Sequence, residues 1–376
     1  MDAEPLQPSE GSSPEPIRKE QPIEEAPELA AVENSEPESD CESDDEVSVK
    51  STRSCSPGTL RGIFENGRRY CDDVYFMPND ESELTRLNVV HQIYLILLDG
   101  RLTTAPLTTE SPRILDVGTG PGDWAIEMNA EAPNATIIAS DIGVFDSGIA
   151  HISLPNVFFQ IADARSEWTY HEPFDLVHIR GLSGAFQDWS SVYRNAFAHL
   201  KPGGYIEVAD ADPAADILCS ESQSDSSYLQ IYSAALRAAG EASGYLRDGS
   251  HLRTSALTAA GFVDVRVLER TIPIGLWPHD MHEKTLGKMG LIALLEGLEA
   301  YALRSLTRSG SWSLQGATDL CEKVTAELLS ADRLSVRVRI VTGRKPISYA
   351  QRKEEVLARA MRKAEMFTGA VSTNAD

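Results

Sequence analysis

Ile114-Leu115-Asp116-Val117-Gly118-Thr119-Gly120-Pro121-Gly122 is the stretch whose reading decides the fold. Arg113–Val117 reads as a short apolar strand that runs straight into three glycines at alternate positions, and a helix is expected over 122–132. A strand feeding such a loop does one physical job. The glycines let the backbone turn sharply, and lacking Cβ atoms they let a ligand come closer than other residues would allow. Alone, the loop marks only a nucleotide-like ligand, because dinucleotide-binding folds share it.

Working outward, the same grammar repeats. Strands are expected at Thr136–Asp141, Val157–Ile161, 175–179 and 205–209. A helix over 188–200 is closed by Lys201-Pro202-Gly203-Gly204. Apolar strands alternating with helices give an α/β class with a parallel sheet covered on both faces. Further on come helices over 228–242 and 252–260, a strand over 262–269, helices over 281–305 and 314–329, and a strand over 334–341. Upstream, Asn79 or Asp80 caps a helix through Leu84, Leu87, Val90, His91, Tyr94, Leu97 and Leu98, and Gly100 ends it.

Charge is unevenly spread. Residues 1–58 carry sixteen acidic side chains against Arg18, Lys19, Lys50 and Arg53, which is about half of the formal net charge of −23. Such a segment buries too little apolar surface to offset its ordering entropy, so it is read as a disordered acidic segment. Its block over 35–47 suits either a phosphorylatable interaction arm for protein partners or a solvating leader. The acidity argues against nucleic acid as a direct partner, which would need a basic footprint. No apolar run approaches the ~20 residues of a membrane span. Five scattered cysteines with no C-x-x-C pair suggest neither a zinc site nor a disulfide framework, and a cytoplasmic or nuclear setting is expected.

Three carboxylates sharpen the ligand. Asp116 lies inside the first strand, where it would repel a pyrophosphate and suit a ligand bearing an ammonium or sulfonium cation. Asp141 ends the second strand, where a carboxylate accepts ribose hydroxyls. Asp163 follows the third strand, placed to accept from an adenine amino group, with the Ala164 backbone N–H beside it. Singly, Asp141 has a helix cap and Asp163 a turn residue as its alternative reading. Jointly with Gly118, Thr119 and Gly120 they point to S-adenosyl-L-methionine rather than NAD, which sets a nucleotide-dependent oxidoreductase aside.

These residues resemble the fungal LaeA-like methyltransferases, a branch of the class I S-adenosylmethionine-dependent fold. The resemblance covers roughly 64–345. It rests on Pro78-Asn79-Asp80-Glu81 with Arg86 and His91, Leu115–Gly120 of the glycine loop with Trp124-Ala125-Ile126, and Trp168. It continues through Phe174-Asp175-Leu176-Val177-His178-Ile179-Arg180, Asp188-Trp189, and Leu200-Lys201-Pro202-Gly203-Gly204-Tyr205-Ile206-Glu207. It implies a Rossmann-like seven-stranded sheet of order 3-2-1-4-5-7-6, counted from Arg113, with the last strand antiparallel. It also implies one methyltransferase domain over 59–345, with a helical lid from 64–110 and a helical insertion over 276–330. Asp116, Gly118, Gly120, Asp141 and Asp163 carry over as cofactor contacts. The chain departs from the commoner family form at Pro121-Gly122-Asp123, and 142–153 lacks a proline-rich continuation.

For chemistry, His178 and Arg180 lie just past the fourth strand, where an acceptor sits in such folds. His178 is a candidate general base, its alternative a strand histidine packed into the sheet. Arg180 is read as orienting an anionic acceptor, the cofactor carboxylate, or a lid carboxylate such as Asp72, Asp73 or Glu83. The fourth strand lacks the Asn/Asp-Pro-Pro-Tyr exit of adenine and glutamine N-methyltransferases. His279 and His282 have H-x-x-H spacing without a nearby third ligand, so no metal is expected. Trp277 and Trp312 either wall a flat acceptor or are ordinary packing. The leading expectation is a methyltransferase acting on a small molecule of fungal secondary metabolism; the alternative is a LaeA-like nuclear regulator working through protein partners. The tail 346–376 is expected to hold one amphipathic helix.

Overall fold

The computed structural model describes residues 62–145, 154–218, 227–331, 333–347 and Lys353. The acidic segment 1–58, most of the tail 346–376 and residues 146–153 lie outside the described residues.

Chain order begins with a hairpin absent from the sequence reading: β1 (Ile63–Glu65) and β2 (Arg68–Tyr70), antiparallel about Asn66-Gly67. Both turn residues have positive φ, 52° and 78°, as a tight hairpin between right-twisted strands requires. The Asn-Gly pair was the available signal. Then comes α1 (Glu81–Leu97), where Asp80 accepts the Glu83 backbone N–H as cap. β3 (Arg113–Val117), α2 (Asp123–Glu131), β4 (Thr136–Asp141) and β5 (Val157–Ile161) follow. β6 (Phe174–Arg180), α3 (Trp189–His199), β7 (Leu200–Asp210) and the short β8 (Ile217–Leu218) come next. The second half holds α4 (Tyr228–Ser243), a 3-10 turn at Ser250–Leu252, α5 (Thr254–Ala259) and β9 (Val263–Ile274). It ends with α6 (Met281–Arg308), α7 (Leu314–Ser330) and β10 (Leu334–Arg344).

The sheet runs β5-β4-β3-β6-β7-β10, with β9 completing the edge against β10 and β8 a two-residue addition to β10. β3 to β7 are parallel, and β10 is antiparallel to β7 and β9. Counted from Arg113 without β8, the order is 3-2-1-4-5-7-6. Because β3 to β7 are parallel, their carboxyl ends lie along one rim, and the strand order reverses between β3 and β6, where α/β folds bind ligands.

Several boundaries differ from expectation, and four of the differences have a local reason. The strand expected at 205–209 begins at Leu200, because Lys201-Pro202-Gly203-Gly204 bulges within it: Phe174 faces Leu200, and the register slips before Leu176 meets Tyr205. Gly203 takes φ +87° there, its N–H donating to the Lys345 carbonyl. Asp188 stands outside α3 as its cap, accepting the Ser190 N–H. Extended Arg253 splits the helix expected over 252–260. β9 runs to Ile274 because its ladder with β10 continues to Leu334.

The helical side of the molecule is a single core in which Ile93 of α1, Leu236 of α4, Leu298 of α6 and Leu320 of α7 pack with Ile272 and Val338 of the sheet edge. α6 lies so close to β9 that glycine is required. A Cβ on Gly287 would stand 2.3 Å from the Gly275 carbonyl oxygen, and one on Gly290 would stand 2.6 Å from Ile272 Cγ2. The Gly287 carbonyl also accepts the Gly275 N–H at 2.9 Å.

This contact predicts a sign opposite to helix propensity. Alanine in place of glycine within an exposed helix gains about 1 kcal/mol. Gly287→Ala should instead destabilise by roughly 1–3 kcal/mol, because a backbone carbonyl cannot yield as a side chain can. Denaturant unfolding checks this; equal or higher stability would mean that α6 does not sit on β9 at this distance.

Candidate functional site

Asp116 is the second-to-last residue of β3, near its carboxyl end, and faces His178 of β6 in register. Burying a carboxylate is costly unless it is paired. Here His178 Nδ1 meets Asp116 Oδ1 at 2.7 Å, and the residues are 1% and 2% exposed. Trp124 of α2 lies flat on the imidazole, centroids 3.9 Å apart and planes 4° apart, with its Nε1 donating to the Leu102 carbonyl. The three side chains form one layered unit. Asp116 Oδ2 is buried and has no hydrogen-bond partner among the described residues. The structure thus places His178 in the sheet, one ring nitrogen committed to Asp116.

The glycine loop turns directly above this unit. Gly118, Gly120 and Gly122 all take positive φ, at 70°, 59° and 96°. The N–H groups of Gly118 and Thr119 both donate to the Ser140 carbonyl, so the loop is hung from β4. Asp141 completes the attachment, Oδ2 accepting from Gly120 N at 2.8 Å and Oδ1 from Gly143 N at 3.0 Å. Burial pushes the Asp141 carboxyl up, and the two backbone donors only partly offset it. Space above Gly120 is open: a Cβ there would meet nothing nearer than Leu87 at 3.6 Å. Thr119 Oγ1 is a second buried atom without a partner.

Asp163, after β5, is gripped by Arg165 through its N–H at 2.9 Å and its Nε at 2.8 Å. Arg165 Nη2 then reaches Asp72 Oδ2 at 2.7 Å, tying the strand end to the segment before α1. That segment is anchored further by Arg304 of α6, which pairs with Glu65 at 2.9 Å and donates to the carbonyls of Asp72 and Tyr75. Neither Asp72, Asp73 nor Glu83 pairs with Arg180, correcting that part of the sequence reading. Asp72 belongs to Arg165, Asp73 contributes its carbonyl to Arg308, and Glu83 makes a buried pair with Arg86 at 2.6 Å. Arg180 instead rests its guanidinium over the Tyr94 ring, 4.9 Å from the centroid, with Nη2 3.1 Å from His91 Nδ1. It has no carboxylate partner among the described residues, and burial pushes its pKa down. Burial and then Arg180 hold His91 below its ordinary value, so its Nδ1 can accept the Arg180 N–H.

One cavity of about 220 Å³ gathers all nine residues singled out in the sequence: Asp116, Gly118, Thr119, Gly120, Asp141, Asp163, Ala164, His178 and Arg180. Ala164 lies on its wall, and its carbonyl accepts from Trp168 Nε1. Trp277 and Trp312 lie off the cavity; Trp277 Nε1 donates to the Leu334 carbonyl, and Trp312 packs against the helical core. Asp280, between His279 and His282, caps α6. Sequence reasoning missed Arg165, whose role emerges only when residues 93 apart meet, and Asp210, which ends β7 on the same rim. The position of Asp210 at a strand's carboxyl end was the signal.

Comparison with known proteins agrees with this architecture. A family model described as a methyltransferase domain matches residues 89–267. The methyltransferase pytC of Aspergillus terreus is 31% identical over 75% of this chain and 87% of its own length. The secondary metabolism regulator LAE1 of Cochliobolus heterostrophus is 33% identical over 77% of this chain and 97% of its own. Among solved structures, a Haemonchus contortus phosphoethanolamine N-methyltransferase 2 is 17% identical with a TM-score of 0.40, covering 70% of this chain and 52% of that one.

The cover over the site should loosen in acid. Hydrogen bonding from Arg308 holds the Glu65 carboxyl below the ordinary range. Burial pushes Asp72 and Asp80 up, but hydrogen bonds outweigh it: from Tyr75 N–H and Arg165 to Asp72, and from Arg68 and Glu83 N–H to Asp80. Groups lowered in the folded state stabilise it above the ordinary carboxylate range, and that contribution is lost as pH falls through the lowered values. Amide protection factors across residues 62–80 should therefore fall at acid pH before those of β3 and β6. Simultaneous loss in both regions, read by hydrogen exchange, would contradict this.

Proposed function

The chain belongs to the fungal LaeA-like branch of the class I S-adenosylmethionine-dependent methyltransferases, and from that premise we propose that its methyl acceptor is a small molecule of secondary metabolism. When bound, the cofactor supplies a methyl group on a sulfonium whose sulfur departs neutral. The chain has then to bind it, align the acceptor and exclude water.

The residues on the cavity wall fit that cofactor. The partnerless Asp116 Oδ2 would take the amino-acid ammonium, and Arg180, short of a carboxylate, would take the carboxylate end. Asp141, each of whose oxygens accepts one backbone bond and keeps a lone pair, would take the ribose hydroxyls. Asp163 and the Ala164 backbone would meet the adenine edge, with Thr119 Oγ1 a further polar contact. Such a ligand would approach closely over Gly120.

One observation carries the small-molecule reading. Past Arg180 the cavity continues between α1, α6, β9 and β10, walled by Val90, Ile93, Ile272, Ile274, Leu294 and Val338. A cavity end walled by these apolar side chains suits a small apolar body better than a basic protein side chain. The second reading, a nuclear regulator working through protein partners, is favoured by the relatives named as regulators. Its interaction arm would be the acidic segment 1–58. Among the described residues no helix is long and apolar enough to cross a membrane.

Two measurements test this. Incubated with methyl-labelled S-adenosylmethionine and a fungal extract, the chain should place label in the organic-soluble metabolite fraction; label confined to precipitated protein would overturn the acceptor class. Asp141→Ala should weaken S-adenosylhomocysteine binding by roughly 1–3 kcal/mol in calorimetry. Unchanged affinity would leave Asp141 only the task of holding the glycine loop.

A further inference from the structure

Asp210, at the carboxyl end of β7, lines the same cavity where the apolar chamber begins, next to the β6 end that carries Arg180. It is 3% exposed, and its two oxygens are held differently. Oδ1 accepts the Ala211 N–H at 2.9 Å, and Oδ2 lies 3.2 Å from His251 Nε2. His251, also 3% exposed, is itself immobilised. Its ring stacks on Trp189 with centroids 4.3 Å apart and planes 15° apart, and its carbonyl accepts the Tyr193 hydroxyl at 2.6 Å. Trp189, Tyr193 and His251 thus brace a single carboxylate aimed from behind at the cavity. Tyr94 lines the cavity close by, its phenol pushed up by burial first and then by Asp210.

By contrast, His178 has Nδ1 on Asp116 and its face under Trp124, on the cofactor side of Arg180. Asp210 is the carboxylate that stands at the junction of polar site and apolar chamber. We infer that the acceptor is a largely apolar molecule with a reacting hydroxyl, and that Asp210, positioned by His251, takes that hydroxyl's proton. This rests on the small-molecule reading above and names its substrate class. As the acceptor oxygen bonds to the methyl carbon, the carbon–sulfur bond breaks with its electron pair kept by sulfur, and the proton goes to the Asp210 carboxylate. A carboxylate suffices because the oxygen needs to lose its proton only as the new bond forms. Asp210 is then a catalytic residue and His251 a positioning residue.

The probe is 2-naphthol, a flat apolar hydroxyl compound whose excited state is acidic enough to give its proton to a nearby carboxylate. The full chain is first titrated with S-adenosylhomocysteine; failure to bind that ligand would count against the methyltransferase reading, not this one. The loaded chain is then titrated with 2-naphthol and its emission recorded. The expected result is binding with naphtholate emission, and in Asp210→Asn retained binding of both ligands with loss of the naphtholate band. His251→Ala should lose part of that band and His251→Gln, which keeps a donor toward Asp210, should restore it; equal behaviour of the two would overturn the positioning role. No naphthol binding to the loaded chain, neutral emission when bound, or naphtholate emission persisting in Asp210→Asn would overturn the inference. If Asp210→Asn fails to bind S-adenosylhomocysteine, Ala293→Trp decides together with the wild-type emission. It narrows the chamber from α6 and should keep S-adenosylhomocysteine while excluding naphthol; undiminished naphthol binding would place the probe elsewhere and overturn the proposal.

Discussion

A carboxylate in the middle of a parallel sheet is the constraint around which the rest of the molecule is arranged. Asp116 is buried on β3, and such a group is tolerated only when hydrogen-bonded. The sheet supplies His178 from the neighbouring strand at the facing register position, and α2 supplies Trp124 to clamp the imidazole. One carboxylate oxygen is thereby spent and the other left buried without a partner among the described residues. Removal of the imidazole would leave both oxygens buried and unpaired, so the strand order that brings β6 beside β3 is also what makes the site affordable.

From that point the site grows by attachment to neighbouring strand ends. β4 holds the glycine loop through the Ser140 carbonyl and Asp141, and β5 contributes Asp163 through its grip on Arg165. The cover is fastened by charge pairs that join residues far apart in sequence: Asp72 to Arg165, and Glu65 to Arg304 and Arg308. The Asp72–Arg165 and Glu65–Arg308 pairs, partly exposed, contribute little stability each. They set the position of residues 62–80 over the cavity. Arg180 stands apart as a half-buried cation supported by a ring face and the His91 imidazole, which leaves its charge available to a ligand.

Much of this was legible in the sequence because it depends on local pattern. The parallel strands β3 to β5 were placed to the residue, since each is an apolar run bounded by breakers, and the three acids followed from strand ends. The Lys201–Gly204 bulge was not legible, because glycines and proline signal a turn whether or not a neighbouring strand pairs across them. The hairpin at Asn66-Gly67 carried a readable turn signal on strands only three residues long. The pairing of Arg165 with Asp72 and the bracing of Asp210 by His251 depend on contacts between distant segments. Hence residue types announced a site, while the pairing of charges within it required the fold.

The account stands on the bare oxygen of Asp116. The most direct measurement is a crystal structure of the chain with S-adenosylhomocysteine. The ligand's amino group is predicted to donate to Asp116 Oδ2 while Oδ1 keeps its bond to His178, with the ligand carboxylate at Arg180. A ligand whose amino group lies elsewhere, leaving Oδ2 still without a partner, would contradict it.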